Sequence, residues 1–374
     1  MELRLESARL LRKAFEHTTH PKKVFVGFDG FTDTIAKVVD QRLSTDHFLP
    51  IETIQQFGQR ILHAAGKSAN LELVPLEIRM GGNAPLLARA LLQGHHHLAF
   101  AGTIGDADQI EPLFAEFAQA CAQVFPLGPS GKTDALEFQD GKLFFGQMRS
   151  VAAVDYPLLI RQIPEEQLGI LLDTSDLVAN VNWTMIPHMN AIWKAIATNL
   201  LPDFDTKRKR WFFVDLADPA KRSVPELLEA VNLLRRFHPC FQVVLGLNLS
   251  EAQQLYRALS GIDSNGSDKE TVHVLLHGIR DRTQLAHIVI HAATFAASIS
   301  DHGLFFIDGP TVTPPLITTG GGDHFNAGYC HGLLFHLTPE HCLALGVASS
   351  GFYVQHAKSP SIGDLCELLT RSKW

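Results

Sequence analysis

Cysteine is scarce, with five in 374 residues, at Cys121, Cys240, Cys330, Cys342 and Cys366. An odd count without a CxxC pair supplies neither a disulfide framework nor a zinc ribbon. Reduced core thiols in a cytoplasmic protein are expected instead. Charge is also sparse. Charged residues make up 19%, and 32 Lys+Arg stand against 39 Asp+Glu, a formal net charge of −7. Nucleic-acid binders present a basic stripe, so no nucleic-acid partner is expected. The one basic run, Lys207–Arg210, reads as a solvated loop. Long apolar runs are missing as well. The most apolar stretch, Ile288–Ile299, is broken by His291 and Thr294 and is too short to span a bilayer. The opening MELRLESARLLRKAFEH intersperses Glu and Arg with Leu, unlike the unbroken apolar core of a signal peptide. A soluble protein without membrane association is expected. No period of 20–50 residues recurs, which argues against a solenoid. Disorder is excluded by a hydrophobic content of 46%, because disordered chains combine low hydrophobicity with high net charge.

Short apolar runs alternate with helical patterns. Val24–Phe28, Leu98–Gly102, Leu171–Leu177, Trp211–Leu216, Val243–Leu247 and His287–Ile290 read as strands. Leu86–Leu92, Glu111–Ala122, Val224–Phe237 and Ser250–Leu259 read as helices. Such alternation implies βαβ units in a mainly parallel, doubly wound α/β sheet flanked by helices. The length allows two or three domains, or one large α/β domain with an addition. The addition is visible at Leu136–Phe145, where two alternating runs flank Asp140-Gly141, a strong hairpin signal. With Ile35–Val39 this hairpin forms a small β-sheet placed to act as a lid. The expectation is a single domain over residues 1–374, with lid strands inserted around 34–50 and 133–147.

Residues 126–133, PLGPSGKT, nearly match a phosphate-binding loop of the form G-x-x-x-x-G-K-[ST]. Pro126 occupies the first glycine position, and the segment leads into the hairpin rather than into a helix. A turn entering the lid is the better reading. His95, His96 and His97 invite a metal assignment, but adjacent residues in strand-like backbone point to different faces and do not converge on one ion.

Residues 318–328, TTGGGDHFNAG, carry the chemistry. Gly320, Gly321 and Gly322 precede Asp323, and Phe325, Gly328, Tyr329, Gly332 and Leu333 follow at helical spacing. A glycine loop feeding a helix N-terminus turns backbone N–H groups toward an anion, and the helix dipole adds to the attraction. A carboxylate beside such a hole suits a general base that activates a hydroxyl for attack on phosphate. Read in isolation, the same pattern also describes an Asp cap after a flexible turn.

This segment resembles the C-terminal signature of the ribokinase-like, or PfkB, carbohydrate kinase family, usually written D-T-x-G-A-G-D. Three other regions resemble family motifs in the right order. GGNAPLLARALLQ at 81–93, followed by AGTIGDAD at 101–108, is similar to the N-terminal glycine motifs. NLSE at 248–251 matches N-x-x-E, and GFDGFTD at 27–33 ends the first strand, where the family places a substrate-binding Asp. The resemblance spans roughly residues 22–370. It implies a ribokinase-like fold with a β-sheet lid, ATP as phosphoryl donor, Mg2+ as cofactor and a sugar or related small molecule as acceptor. It makes Asp323 the base and Gly320, Gly321 and Gly322 the anion hole. Asp33, Asp29, Gly82 and Asn83 fall on the acceptor side, with Asp33 favoured over Asp29. Asn248, Glu251 and Thr319 fall on the nucleotide and magnesium–phosphate side, Glu251 reaching the ion through water. Related kinases often dimerise through the lid, so a homodimer is the expectation by analogy.

The departures are specific. Ile317 replaces the first signature Asp, which belongs to the monovalent-cation site in potassium-activated members, and this argues against potassium activation. Leu86 stands where the glycine motif has Asn, with Asn83 available to take over part of its role. His291-Ala292-Ala293 replaces a glycine-containing turn, which alters the nucleotide contacts. A catalytically silent sugar-binding or regulatory module on the same fold is the alternative. The retained Asp323 and Glu251 argue against it. A dinucleotide oxidoreductase needs G-x-G-x-x-G after an early strand, and GFDGFTD lacks that spacing. Asp215 and Asp218 after WFFVDL, Asn180 and Asn182 after another strand, and Arg149 after the hairpin are weaker candidates. A cap, or a solvated surface position for Arg149, explains them equally well.

Overall fold

A computed structural model describes residues 1–18, 20–106, 109–312 and 314–371. Ala107 and Asp108, the end of the AGTIGDAD match, lie outside the described residues.

A nine-stranded sheet runs through the centre in the order β16-β15-β14-β13-β12-β11-β1-β5-β8. Its strands are β1 (Lys23–Phe28), β5 (His97–Gly102), β8 (Gln123–Pro126), β11 (Leu177–Asn180), β12 (Trp211–Asp215), β13 (Gln242–Asn248), β14 (His287–His291), β15 (Phe295–Ser300) and β16 (Gly303–Asp308). From β8 to β14 the neighbours are parallel, and β15 and β16 return antiparallel. The parallel strands read as continuous apolar runs because helices cover both of their faces. One layer holds α1 (Glu2–His17), α3 (Asn83–Leu92), α4 (Ala115–Ala120), α12 (Gly321–Leu334), α13 (Pro339–His356) and α14 (Ile362–Thr370). The other holds α5 (Arg149–Ala152), α6 (Tyr156–Gln162), α7 (Glu165–Thr174), α8 (Met189–Asn199), α9 (Val224–Arg235), α10 (Leu249–Ser260) and α11 (Lys269–Thr283). Helices α12 and α13 are buried along nearly their whole length. Their sequences accordingly lack a polar face.

A second sheet has the order β10-β9-β2-β3, with β4 also paired to β2. It comprises β2 (Phe31–Arg42), β3 (Phe48–Pro50), β4 (Leu73–Gly81), β9 (Gly131–Phe138) and β10 (Gly141–Gln147). A short hairpin, β6 (Gly105–Asp106) with β7 (Gln109–Ile110), stands apart from both sheets. Helix α2 (Ile54–His63) backs one face of the second sheet, where Phe57 packs with Ala36, Val38 and Leu136. The other face carries Asp33, which registers with Arg79 on β4 and Thr133 on β9. The segment 126–133 does lead into β9 rather than into a helix.

One element reading differs from the structure, a second is refined, and one strand has no counterpart among the readings. Leu171–Leu177 is the end of α7 followed by the first residue of β11. The buried helix leucines Leu168 and Leu172 run into the strand's apolar residues, and short apolar runs do not separate helix from strand by periodicity. Glu111–Ala122 is a 3-10 turn at Pro112–Phe114 and then α4. Strand β4 is invisible in sequence because Leu76 and Ile78, which give it an apolar look, are exposed while Pro75 interrupts it. Among the described residues no helix is long and apolar enough to cross a membrane. All five cysteines are free thiols.

Candidate active site

The parallel strands bring Asp29 after β1, Asp215 at the end of β12, Asn248 at the end of β13 and His291 at the end of β14 to one edge of the sheet. Ligands of open α/β sheets bind beyond this carboxyl edge.

Helix α12 starts there. Its N-cap is Gly320, at φ 92, a conformation that a side chain would strain. The Gly321 amide donates to the Thr318 carbonyl at 3.2 Å, and His324 N donates to the Gly320 carbonyl at 3.1 Å. The Gly322 and Asp323 amides lie in the first turn, where N–H groups have no partner within the helix. His324 braces the loop, with Nδ1 2.8 Å from the Gly320 carbonyl and Nε2 2.9 Å from Ser359 Oγ. The carbonyl only accepts, so Nδ1 carries the proton and Nε2 accepts from the serine hydroxyl. The His324 ring stacks on Tyr353 with centroids 3.6 Å apart.

Asp323 is the third residue of this helix and is 7% exposed. Asn83 Nδ2 donates to its Oδ1 at 2.9 Å. Burial, and then the charge of Asp215, push its carboxyl well above the usual range, and the Asn83 hydrogen bond partly offsets them. Asn83 opens α3, whose N-cap Gly82 has no capping side chain. Asp29 caps this helix from the neighbouring β1–β2 turn. Its Oδ1 accepts from Ala84 N at 2.7 Å, and its Oδ2 accepts from Asn83 N at 3.0 Å and from Asn182 Nδ2 at 2.5 Å. Asp29 is fully buried, and burial raises its pKa to about 6 against these hydrogen bonds. It is thus committed to the α3 N-terminus, and Asn182 supports it.

Asp33 stands on the second sheet. Burial raises its carboxyl, while a hydrogen bond from Thr133 and the Arg79 charge lower it. A Cβ on Gly81 would lie 2.2 Å from Asp33 Oδ2, so this carboxyl requires the glycine beneath it. One on Gly82 would lie 3.2 Å from Gly30 Cα. The glycine pair therefore lets Asp33 and the β1–β2 turn approach the start of α3.

At the end of β13, Asn248 and Glu251 form a capping box on α10. Asn248 N and Nδ2 donate to the two Glu251 carboxylate oxygens at 2.9 and 2.7 Å, and Asp218 N adds 3.1 Å. Capping and proximity to the site coincide here. Burial raises the Glu251 carboxyl. Asp215 is the residue that sequence reasoning undervalued as a cap. It is 6% exposed, accepts from Asn326 Nδ2 at 2.9 Å, and is raised by burial and by the Glu251 charge. Asn326 lies three residues after Asp323, on the same face of α12. The available signal was the position of Asp215 at a strand end beside the N-x-x-E strand. Thr319 precedes the Gly320 cap and is partly exposed, while Thr318 lines the cavity.

Other candidates fall elsewhere. Asn180 accepts from Trp193 Nε1 at 3.1 Å in the core, and Arg149 is exposed. His96 turns inward onto His331 at 3.1 Å, while His95 and His97 are exposed. Ile317 is 8% exposed and is docked through backbone bonds to the Val354 carbonyl. Its aliphatic side chain offers no cation ligand. A Cβ on Gly320 would lie 3.2 Å from Leu86 Cδ1, so Leu86 supports the glycine loop by apolar contact.

A cavity of about 790 Å³ opens over the α12 start, lined by Asn248, Ser250, His291, Thr294, Thr318, Gly321, Gly322, Phe325, Val347 and Gly351 among others. Its volume is in the range of small-molecule sites. A divalent ion fits the acidic side of this site. Asp215 Oδ1 and Asn326 Oδ1 are buried without a hydrogen-bond partner, and oxygens of this hard type suit Mg2+. Among the described residues no three His, Cys, Asp or Glu side chains converge as a complete metal cage. Magnesium commonly needs none, because it keeps waters and phosphate ligands.

A model of the prokaryotic ketohexokinase family matches residues 5–371. A ketohexokinase of Haloferax volcanii is 25% identical over 366 residues, covering 97% of this chain and 95% of its own. Solved structures share the fold at lower identity. Arabidopsis thaliana ribokinase, complexed with ribose and ATP, superposes with a TM-score of 0.64 at 15% identity, covering 95% of this chain and 100% of its own. Phosphofructokinase-2 from Escherichia coli, in complex with substrates and products, gives 0.62 at 13% identity, covering 94% and 98%.

Proposed function

Since the chain belongs to the prokaryotic ketohexokinase family and is a carbohydrate kinase, we propose that it transfers the terminal phosphoryl group of ATP to a hydroxyl of a ketohexose. The observation that carries this reading is the glycine-started helix α12, which holds the buried Asp323 beside unpaired first-turn amides. Asn83 occupies Asp323 Oδ1, so Oδ2 takes the acceptor's hydroxyl proton. The freed alkoxide attacks the terminal phosphorus, and the bond to the bridging oxygen of ADP breaks. The amides of Gly320 and Gly322 and the α12 dipole stabilise charge on the transferring phosphoryl oxygens, while the Gly321 amide is taken by the Thr318 carbonyl. Asp33, Gly82 and Asn83 orient the acceptor. Asn248, Glu251, Thr319 and Asp215 are assigned to the phosphate side, where Asn248 lines the cavity. Asp215 and, through water, Glu251 would hold a magnesium ion, which would supply neutralisation of phosphate charge. The second sheet acts as the lid that keeps water from being phosphorylated in place of the sugar. Leu76, Ile78, Phe144 and Phe145 are exposed on it, which supports pairing of two copies through the lid.

The test is a magnesium–ATP assay across ketohexoses, aldohexoses, sugar phosphates and nucleosides. Ketohexoses should be phosphorylated most efficiently. Turnover of nucleosides with none of ketohexoses would overturn the acceptor assignment. Sugar binding without turnover across the panel would instead favour the silent module. Asp33→Asn should raise the acceptor KM by roughly tenfold or more, as expected for one lost bond to a charged group. The ATP KM should stay within about twofold. Asp215→Asn should raise the magnesium concentration for half-maximal rate by about 10–100-fold, the usual effect of losing a group that orients a metal's ligands. An unchanged magnesium titration would remove Asp215 from the site.

A further inference from the structure

His291 is a titratable side chain that the mechanism above leaves unused. It is the last residue of β14, where the chain turns back into β15, and Ala292 N donates to the Phe295 carbonyl at 2.8 Å. In the sheet it registers with Asn248 on one side and Ala296 on the other. This places it at the carboxyl edge with the nucleotide-side residues. Its ring lies on Phe325, with centroids 4.9 Å apart and planes at 34°. It also reaches over the first turn of α12. A Cβ built on Gly322 would lie 3.2 Å from His291 Cε1 and 3.5 Å from Nε2. His291, Asn248, Gly321, Gly322 and Phe325 line one cavity.

The other histidines near this helix have their ring nitrogens engaged. His324 spans Gly320 and Ser359, and His331 spans His96 and Ala90. Among the described residues, no group of the chain hydrogen-bonds the His291 ring. One face of the ring is covered by Phe325, which leaves the nitrogen-bearing edge toward Gly322. Burial lowers its pKa to about 4, so near neutrality it carries one N–H donor and no charge. A neutral donor meets phosphate directionally.

Resting on the kinase reading, we propose that His291 is a phosphate-contacting residue, whose Nε2–H donates to a terminal phosphate oxygen of the nucleotide held at the α12 N-terminus. It adds a side-chain donor to the backbone amides, and Gly322 is free of a Cβ so that the imidazole can reach this position.

The test compares His291→Phe and His291→Ala, which remove the donor with and without the ring on Phe325, with His291→Gln, which restores an N–H. Calorimetry with MgATP, MgADP and AMP is combined with steady-state kinetics and melting temperatures. The Phe and Ala variants should bind MgATP about tenfold or more weakly, the size of one charge-assisted hydrogen bond, whereas MgADP, which lacks the transferred phosphate, should bind within about twofold of the parent. AMP affinity and the acceptor KM should stay within about twofold, and the Gln variant should recover most of the loss. Unchanged MgATP affinity in the Phe variant, or an equal loss for AMP and ATP, would overturn the proposal while leaving the kinase reading intact. A parent protein that neither binds MgATP nor phosphorylates any acceptor sinks the kinase reading, and this inference with it.

Discussion

Replacing Asp323 by Asn should lower kcat by about 10²–10⁴-fold, the usual worth of a positioned general base. Binding of MgATP should persist, because the amides at the start of α12 remain. Asn keeps the shape of the side chain and can still meet Asn83, so the loss isolates proton transfer. The pH profile supplies an independent reading. As the proposed base, Asp323 would work only when ionised, and burial with the Asp215 charge raises its pKa. The rate of the parent enzyme should therefore fall as pH drops through a limb above the ordinary carboxylate range. The sign for stability is opposite to that of a typical surface carboxylate. Between the unfolded pKa and the raised folded one, the folded state binds more protons, so the contribution of Asp323 to stability declines as pH rises. Near neutrality the Asn variant should thus melt higher than the parent in the absence of nucleotide. Full activity in the variant would remove Asp323 as the base, and a lower melting temperature near neutrality would contradict the electrostatic account.

Substituting Gly328 by Ala should destabilise the protein by up to about 2 kcal/mol, an overpacking cost less the helix-propensity gain. Helix propensity alone predicts the reverse, since Ala in a helix interior is favoured over Gly by roughly 1 kcal/mol. Packing decides the sign. A Cβ at Gly328 would lie 2.4 Å from the Leu345 carbonyl oxygen and 2.8 Å from Ser349 Cβ. The nearest atom is backbone of α13, so the two helices must separate, and overpacking of this kind costs typically 1–3 kcal/mol or more. A Cβ built on Gly332, one turn on, would lie 2.6 Å from Cys342 Sγ in the same seam. Because α12 carries Asp323 at its start, the alanine variant should also lose activity. Denaturant titration should show a lower midpoint with little change in slope. A midpoint equal to or above that of the parent would mean that the close helix contact is not needed.

The reach of the sequence differed from element to element. The glycine run before Asp323 was legible because a helix start with no side chains has few purposes, and Asn248 with Glu251 was legible because a capping box is a local pattern. The Asp140-Gly141 turn disclosed β9 and β10 for the same reason. The sequence favoured Asp33 over Asp29 but supplied no structural ground for the choice. Both follow the first strand, and only the fold shows that Asp29 turns onto the α3 amides while Asp33 sits above Gly81. Asp215 was undervalued because its partner Asn326 lies 111 positions away. Strand β4 was missed because it takes its hydrogen bonds from β2 rather than from an apolar pattern of its own.

Local structure, then, was readable from the chain alone: the alternating α/β order, the hairpin, the glycine-started helix before Asp323, the capping box, and the aliphatic Ile317 in the signature segment. These depend on residues within a turn or two of one another. The tertiary structure decided what depends on convergence. It brought Asn83 to Asp323, set the Asp215 charge beside Asp323 and Glu251, closed α12 on α13 at Gly328, and laid His291 over Gly322. The physical reason is that pKa, hydrogen-bond partnership and close packing are set by which groups share a buried space. Parallel strands bring residues hundreds of positions apart to one edge of a sheet.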